Sequence, residues 1–315
     1  MFPKRNNQFL PRRFLPRGRE RIMNSLPSSD APVASTRWEG ILTELSKRRW
    51  LLLSLVLLVN AVVRPYRGLV LDSCLYAALV SNQADGTFAD DLFIKYGSQD
   101  AYSLFSEIAA PMVHYLGLEL TFFVLYLVCN GLFFWALQRL LFRLIKSPAY
   151  AVLGLLFLAT TPIWFGGLRI FHSNECLFTP RIVANTIVLF GIERMLAKRM
   201  GSALACMLLA LPVHPLMAFP GFLLWCCVAV LERFSVRTSL AIFTSVGLAA
   251  AIVLLVRPLG YAVFGEFDAV WRDAVKCGNF YAFASEWEMS DWMRVLGATV
   301  CVAVAATYAT DARLR

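Results

Sequence analysis

Charge is what this sequence has least of: Asp, Glu, Lys and Arg make up 16% of its 315 residues, where soluble domains carry about 25%. That shortage excludes a soluble globular protein. A disordered chain is excluded too, because apolar runs dominate, and eight cysteines in this length do not make a disulfide-built secreted module. No CxxC pair occurs, which argues against zinc and thioredoxin chemistry. What is abundant is apolar, with 58% hydrophobic residues and a mean hydropathy of +0.61. The fold class that remains is all-α: a polytopic transmembrane helical bundle over residues 50–315, behind a basic tail over residues 1–49.

A helix needs roughly 20 mostly apolar residues to cross about 30 Å of hydrocarbon. Segments of this kind run over 50–71, 116–138, 149–165, 182–196, 238–256 and 291–308. Residues 202–231 are apolar as well but hold Pro212, Pro215 and Pro220, each of which removes a backbone donor. They read as a hairpin, re-entrant or two-span, with His214 and Pro215 at its tip. Counted as two crossings, it brings the bundle to about eight spans.

Orientation follows the Lys and Arg of the loops. Eleven precede Trp50, and through the fourth span 17 fall inside against five outside, the five being Arg64, Arg67, Lys95, Arg169 and Arg181. The N-terminus is therefore expected in the cytoplasm and the chain in the plasma (inner) membrane. Beyond Ser202 both parities of the hairpin add four basic residues to the inside, so the count leaves the C-terminal side open. The three prolines favour two crossings, which place both termini inside and make the outer face acidic. The tail is rich in Arg, Pro, Asn and Ser without a helical apolar stripe, so it reads as a flexible arm that touches anionic membrane lipid. It lacks the interleaved aromatics and motifs of a nucleic-acid binder.

The external loops are expected at about 72–112, 166–181 and 257–291. The first is too long for a plain connector and too aromatic for disorder. Within it, Cys74, Leu75, Ala78 and Leu79 share one helical face, the pattern of a helix lying on the membrane surface. Asp100 can cap a second helix carrying Tyr102, Leu104, Phe105 and Ile108. Asp72 stands where the first span meets outer water. A carboxylate partly desolvated there suits proton abstraction from a hydroxyl, and it also suits the N-cap of the surface helix. Asp90 and Asp91 could bind a cation or a sugar, or simply be solvated.

The second external patch, Arg169 to Arg181, gathers two arginines, His172 and Glu175. Arg181 follows Pro180 at a helix start, where both the guanidinium and the helix N-terminus favour a phosphate; snorkelling to the interface is the plainer reading. His214 is an ionisable group within apolar surroundings, a functional candidate by default, or else a ring satisfied by a carbonyl freed at Pro215. The third loop is rich in Phe, Tyr and Trp, which suit an aromatic belt, sugar stacking or a lipid entrance equally.

These residues support a resemblance. An N-terminus expected inside, a first span ending in an external Asp72 and a long first external loop with interfacial helices resemble the GT-C superfamily of membrane glycosyltransferases. More closely, ADDLFIKYGSQDAYSLFS, FTPRIVANTIVLF and LLALPVHPLMAFPG look like a group of uncharacterised bacterial membrane proteins of GT-C-like organisation, over roughly residues 50–235. The resemblance implies transfer of a sugar from a polyprenyl-phosphate donor at the outer face. Asp72 then matches the general base, and Arg181 or His214 would hold the lipid-linked phosphate. The wider candidate set for substrate is Asp90, Asp91, Arg169, His172, Arg181 and His214. No metal-ligand set is read, and a divalent cation has no clear motif, since no DxD or ExD triplet occurs in the first external loop. The competing functions are a transporter or lipid-handling protein with a path by His214, and a non-catalytic scaffold in an envelope complex.

Overall fold

Proline and glycine mark several of the helix ends, although Pro111 and Pro220 lie inside helices. The computed structural model describes residues 37–96, 100–165, 168, 171–255, 268–280 and 283–308. The chain divides into two units, residues 1–41 and 42–315. Helix follows helix: α1 (Arg37–Lys47), α2 (Arg49–Val63), α3 (Asp72–Asp85), α4 (Leu92–Tyr96), α5 (Phe105–Leu116), α6 (Leu118–Leu144) and α7 (Pro148–Thr160). Then come α8 (Pro180–Leu196), α9 (Met200–Ala210), α10 (Pro215–Arg233), α11 (Val236–Leu255), α12 (Ala269–Asn279) and α13 (Met289–Tyr308). Between α7 and α8, β1 (Trp164–Phe165) pairs antiparallel with β2 (Phe171–His172), Trp164 opposite His172. Proline opens α7, α8 and α10, where its missing N–H would be unsatisfied anyway. Gly117, at φ +77°, breaks the chain between α5 and α6, a backbone angle that side-chain-bearing residues adopt at a cost.

The all-helical class holds apart from that two-residue strand pair. Among the described residues, two helices are long and apolar enough to cross a membrane, α6 with 27 residues and α10 with 19, or about 40 and 29 Å at 1.5 Å per residue. Three more apolar helices are shorter, α2, α7 and α9. The sequence limits of these three need correction. The first run stops at Val63 rather than 71 because Pro65 follows its C-cap Arg64, and the third stops at Thr160 rather than 165 ahead of Pro162. The proline-rich stretch divides unequally into the 11-residue α9 and the 19-residue α10 around a turn that ends at His214.

Tyr76, Val80, Phe105, Phe122, Tyr126 and Phe178 form one buried cluster where α3 and α5 meet α6 and the start of α8. A second joins Leu52 and Val56 of α2 to Phe133 and Phe134 of α6 and to Val152 and Leu155 of α7. Polar groups tie the same three helices. Asn60 donates from Nδ2 to the Ala159 carbonyl at 2.9 Å, and Asn130 donates to Asn60 Oδ1 at 3.0 Å and to the Tyr126 hydroxyl at 3.2 Å. Small residues let α8, α9 and α10 approach closely, with Ala184, Ala210 and Ala218 buried among them.

Further corrections concern the first external loop and the tail. The buried face of α3 is Ser73, Tyr76, Ala77 and Val80, with Leu79 beside it, while Cys74 and Leu75 are exposed. The spacing of three and four residues that faces the core starts at Ser73 and is carried by an aromatic, which seats that side of the helix on the core. Asp72 is the first residue of α3, not its cap; Leu71 holds the cap position. Asp100 does not cap α5, whose cap is Leu104; its carboxylate accepts from the Ser106 hydroxyl. Within the tail, Arg37–Lys47 is helical, and its Trp38, Ile41, Leu42 and Leu45 form the apolar stripe that the Arg-rich text around them obscures. The rest of the tail, residues 1–36, lies outside the described residues.

Candidate functional site

The end of α2 and the start of α3 supply one wall of a cavity of about 550 Å³. Leaving α2 at Arg64, the chain passes Pro65 and Arg67 and reaches Leu71, whose φ of +52° is a strained setting for a leucine. Asp72 follows at the mouth. The facing wall comes from β1, β2 and the segment leading into α8: Trp164, His172, Glu175, Cys176 and Arg181. A backbone bond from Arg67 N to the Cys176 carbonyl, 2.8 Å, ties the two walls together.

Arg181 is the hub. It donates from Nη1 to Asp72 Oδ2 at 2.6 Å and from Nε to Glu175 Oε1 at 2.8 Å. The other oxygen of Glu175 accepts from the Thr179 hydroxyl at 2.7 Å. Burial of Arg181 works against its charge, but the two carboxylates outweigh it and hold the guanidinium above its ordinary pKa. Asp72 is different, because its side chain is 46% exposed against 12% for Arg181 and 7% for Glu175. Because α3 begins at the rim, Asp72 keeps about half its surface in the open and the rest against protein.

Two further cations complete the cavity. Arg64 and Arg67 both line it, and neither pairs with a carboxylate among the described residues. Arg64 is 8% exposed; its Nη2 lies 3.4 Å from His172 Nδ1, and its Nη1 is buried with no hydrogen-bond partner. His172 stacks against Trp164 with ring centroids 4.0 Å apart. Burial pushes its pKa down, Glu175 opposes this, and Arg64, Arg181 and Arg67 add to it. A neutral imidazole is the result, able to accept from Arg64. The cavity thus holds three arginines against two carboxylates, both of which are engaged by Arg181.

His214 lies deeper, in the turn between α9 and α10. Its Nδ1 accepts from Met217 N at 3.4 Å, which caps α10, and its Nε2 faces the Tyr76 hydroxyl at 3.5 Å. Burial first, then Arg181, lowers its pKa to about 4. It is close enough to the hub to feel that charge, yet it does not line the cavity.

Of the candidate residues, Asp72, His172 and Arg181 come together, whereas His214 meets Tyr76 of α3 and does not line the cavity. Asp90 and Asp91 are exposed and do not line the cavity. Asp91 accepts from Phe93 N at 2.8 Å and Ile94 N at 3.3 Å, so it caps the short α4. Arg169 lies outside the described residues, as do 257–267 and 281–282 of the aromatic third loop. In the sequence Arg64 and Arg67 stand out only as loop charges. The available signal was their place: two arginines directly beyond the outward end of an apolar run go against the usual inside bias. The sequence places Glu175 in its polar patch without marking it as the group that orients Arg181, and it places Trp164 at the end of an apolar run. Among the described residues no group of three or more His, Cys, Asp or Glu is arranged to hold a metal ion, and both carboxylates of the cavity are taken by Arg181. Its donor set does not suit a divalent cation. No family model, no curated protein and no solved structure matches this chain.

Proposed function

We propose that the chain is a polytopic glycosyltransferase of the inner membrane, N-terminus in the cytoplasm, that moves a sugar from a polyprenyl-phosphate carrier to an acceptor hydroxyl at the outer face. The observation that carries this reading is the contact of Asp72 with Arg181 at the mouth of a cavity that also holds Arg64 with a buried, unpartnered donor. A base and a phosphate clamp are what the reaction requires in one place. The polytopic arrangement is supported by α6 and α10, by the 20-residue α11 and α13, and by the short apolar helices that flank them.

In this mechanism the donor phosphate sits between Arg64 and Arg67, which supply charge-assisted hydrogen bonds to its oxygens. Arg181 turns one N–H from Asp72 toward the same phosphate while Glu175 keeps its Nε fixed. Asp72, released to the open mouth, accepts the proton of the acceptor hydroxyl. The acceptor oxygen bonds to the anomeric carbon as the carbon–oxygen bond to phosphate breaks, and the electron pair leaves on polyprenyl phosphate. The arginines stabilise the charge that develops there. The neutral, Trp-stacked His172 positions Arg64 without adding a competing cation.

The test uses membranes that contain the full chain and a labelled polyprenyl-phosphate sugar. Asp72→Asn should abolish turnover at unchanged abundance, whereas Arg64→Gln should raise the KM for donor at least tenfold with a smaller effect on kcat. Wild-type turnover in Asp72→Asn removes the base from the mechanism. Absence of transfer by the wild type, together with donor flux in proteoliposomes, would favour a transporter instead.

A further inference from the structure

A second polar cavity, of about 510 Å³, lies at the other end of the same helices. It is lined by Arg49 and Trp50 at the start of α2, by Trp135, Arg139 and Arg143 on the last turns of α6, and by Glu193 near the end of α8. The outer cavity uses Arg64 beyond the end of α2 and Arg181 at the start of α8. From Arg181 to Glu193 is twelve residues of helix, about 18 Å along the axis, so α2 and α8 each run from one cavity to the other.

Glu193 is 1% exposed and holds two guanidinium groups of the cavity in place, Arg143 at 2.8 Å and Arg139 at 3.2 Å, both through Oε1, while Arg194, outside the cavity lining, approaches its Oε2 at 3.6 Å. Arg143 and Arg139 each spend one N–H on this contact, and Arg139 Nε is buried with no partner. Among the described residues Arg49 pairs with no carboxylate; its guanidinium lies over the Phe142 ring, 5.9 Å from the centroid. Three cations of the cavity lining therefore face one carboxylate. Trp50, 70% exposed, stands against Trp135 with ring centroids 6.0 Å apart, the kind of indole pair found at headgroup depth.

We propose that this cavity binds the phosphate group of an anionic phospholipid at the cytoplasmic face. The guanidinium donors take the phosphate oxygens, and the tryptophans flank the acyl chains. The sidedness rests on the topology read from the loop charges; the binding chemistry does not depend on the transferase reading. A free phosphate offers the same oxygens, but the exposed Trp50, backed by the half-buried Trp135, favours a ligand with an apolar body.

The full chain in neutral detergent is titrated with phosphatidylglycerol, phosphatidylcholine or inorganic phosphate while its thermal midpoint is followed, since a ligand that binds the folded state raises that midpoint. The expected result is a saturable rise with phosphatidylglycerol and none with phosphatidylcholine. Arg49→Gln, which leaves Glu193 paired and so spares the fold, should raise the half-saturating concentration roughly fivefold, while Lys95→Gln, a distant exposed cation, should leave it unchanged. A rise with inorganic phosphate at matched concentration supports the phosphate chemistry and assigns a soluble source. Equal responses to the two lipids, or a phosphatidylglycerol response identical in Arg49→Gln and wild type, overturn the proposal.

Discussion

The two carboxylates on Arg181 should differ sharply in what their removal costs. Glu175 and Arg181 are both largely buried, and their contact is reinforced by the Thr179 hydroxyl. Removing one partner of a buried pair costs about 3–5 kcal/mol, because the other charge stays behind uncompensated. Glutamine keeps the shape and one acceptor, so Glu175→Gln belongs near the lower figure. Asp72 meets the same guanidinium at 2.6 Å, but with 46% of its side chain exposed, and solvent-screened pairs contribute about 0.2–1 kcal/mol. The difference, about 2 kcal/mol, is roughly a thirtyfold change in the unfolding equilibrium. It can be read by denaturant unfolding in mixed micelles, followed by tryptophan fluorescence. Asp72→Asn should then unfold close to wild type and Glu175→Gln well before it. Equal destabilisation, or the reverse order, refutes the assignment of Asp72 to the rim, and a turnover loss in Asp72→Asn could no longer be separated from a folding defect.

Gly221→Ala should destabilise by about 1–3 kcal/mol, since a Cβ there would stand 2.7 Å from Val188 Cγ1 and valine is stiff at χ1. Gly191→Ala should cost less, because its nearest obstacle at 2.6 Å is the mobile end of Met207; thermal unfolding of the two variants gives the order. His214 predicts acid sensitivity. Its pKa falls from 6.5 to about 4 in the folded protein, so below pH 6.5 the unfolded chain takes up a proton that the folded one resists. Stability that is whole above pH 6.5 is lost as pH drops toward 4, by up to about 3 kcal/mol. His214→Gln should flatten that part of the stability profile, and an unchanged slope would place the titration elsewhere.

How much was legible in the sequence depended on the kind of signal. Apolar runs bounded by Pro180, Pro215 and Arg233 located α8 and α10 to within a few residues, because a helix in an apolar setting is specified by composition and by where the backbone donor is lost. Faces were harder. Cys74, Leu75, Ala78 and Leu79 make as plausible a stripe as Ser73, Tyr76, Ala77 and Val80, and only the Phe105, Phe122 and Phe178 rings supplied by other helices choose between them. The site divided in the same way. Asp72, His172 and Arg181 were conspicuous as polar residues beside apolar runs, while Arg64 and Arg67 passed as loop charge.

Composition by itself determined that the chain is helical and apolar, and loop charge supplied an expected sidedness, since both are sums over residues that do not depend on who their neighbours are. Which carboxylate meets Arg181, which arginine keeps a buried donor free, and that α2 and α8 each join two cationic cavities were decided by tertiary structure alone. Asp72 and Arg181 lie 109 residues apart in the chain and 2.6 Å apart in space, and no local pattern encodes a contact that exists only once separate helices have closed on each other.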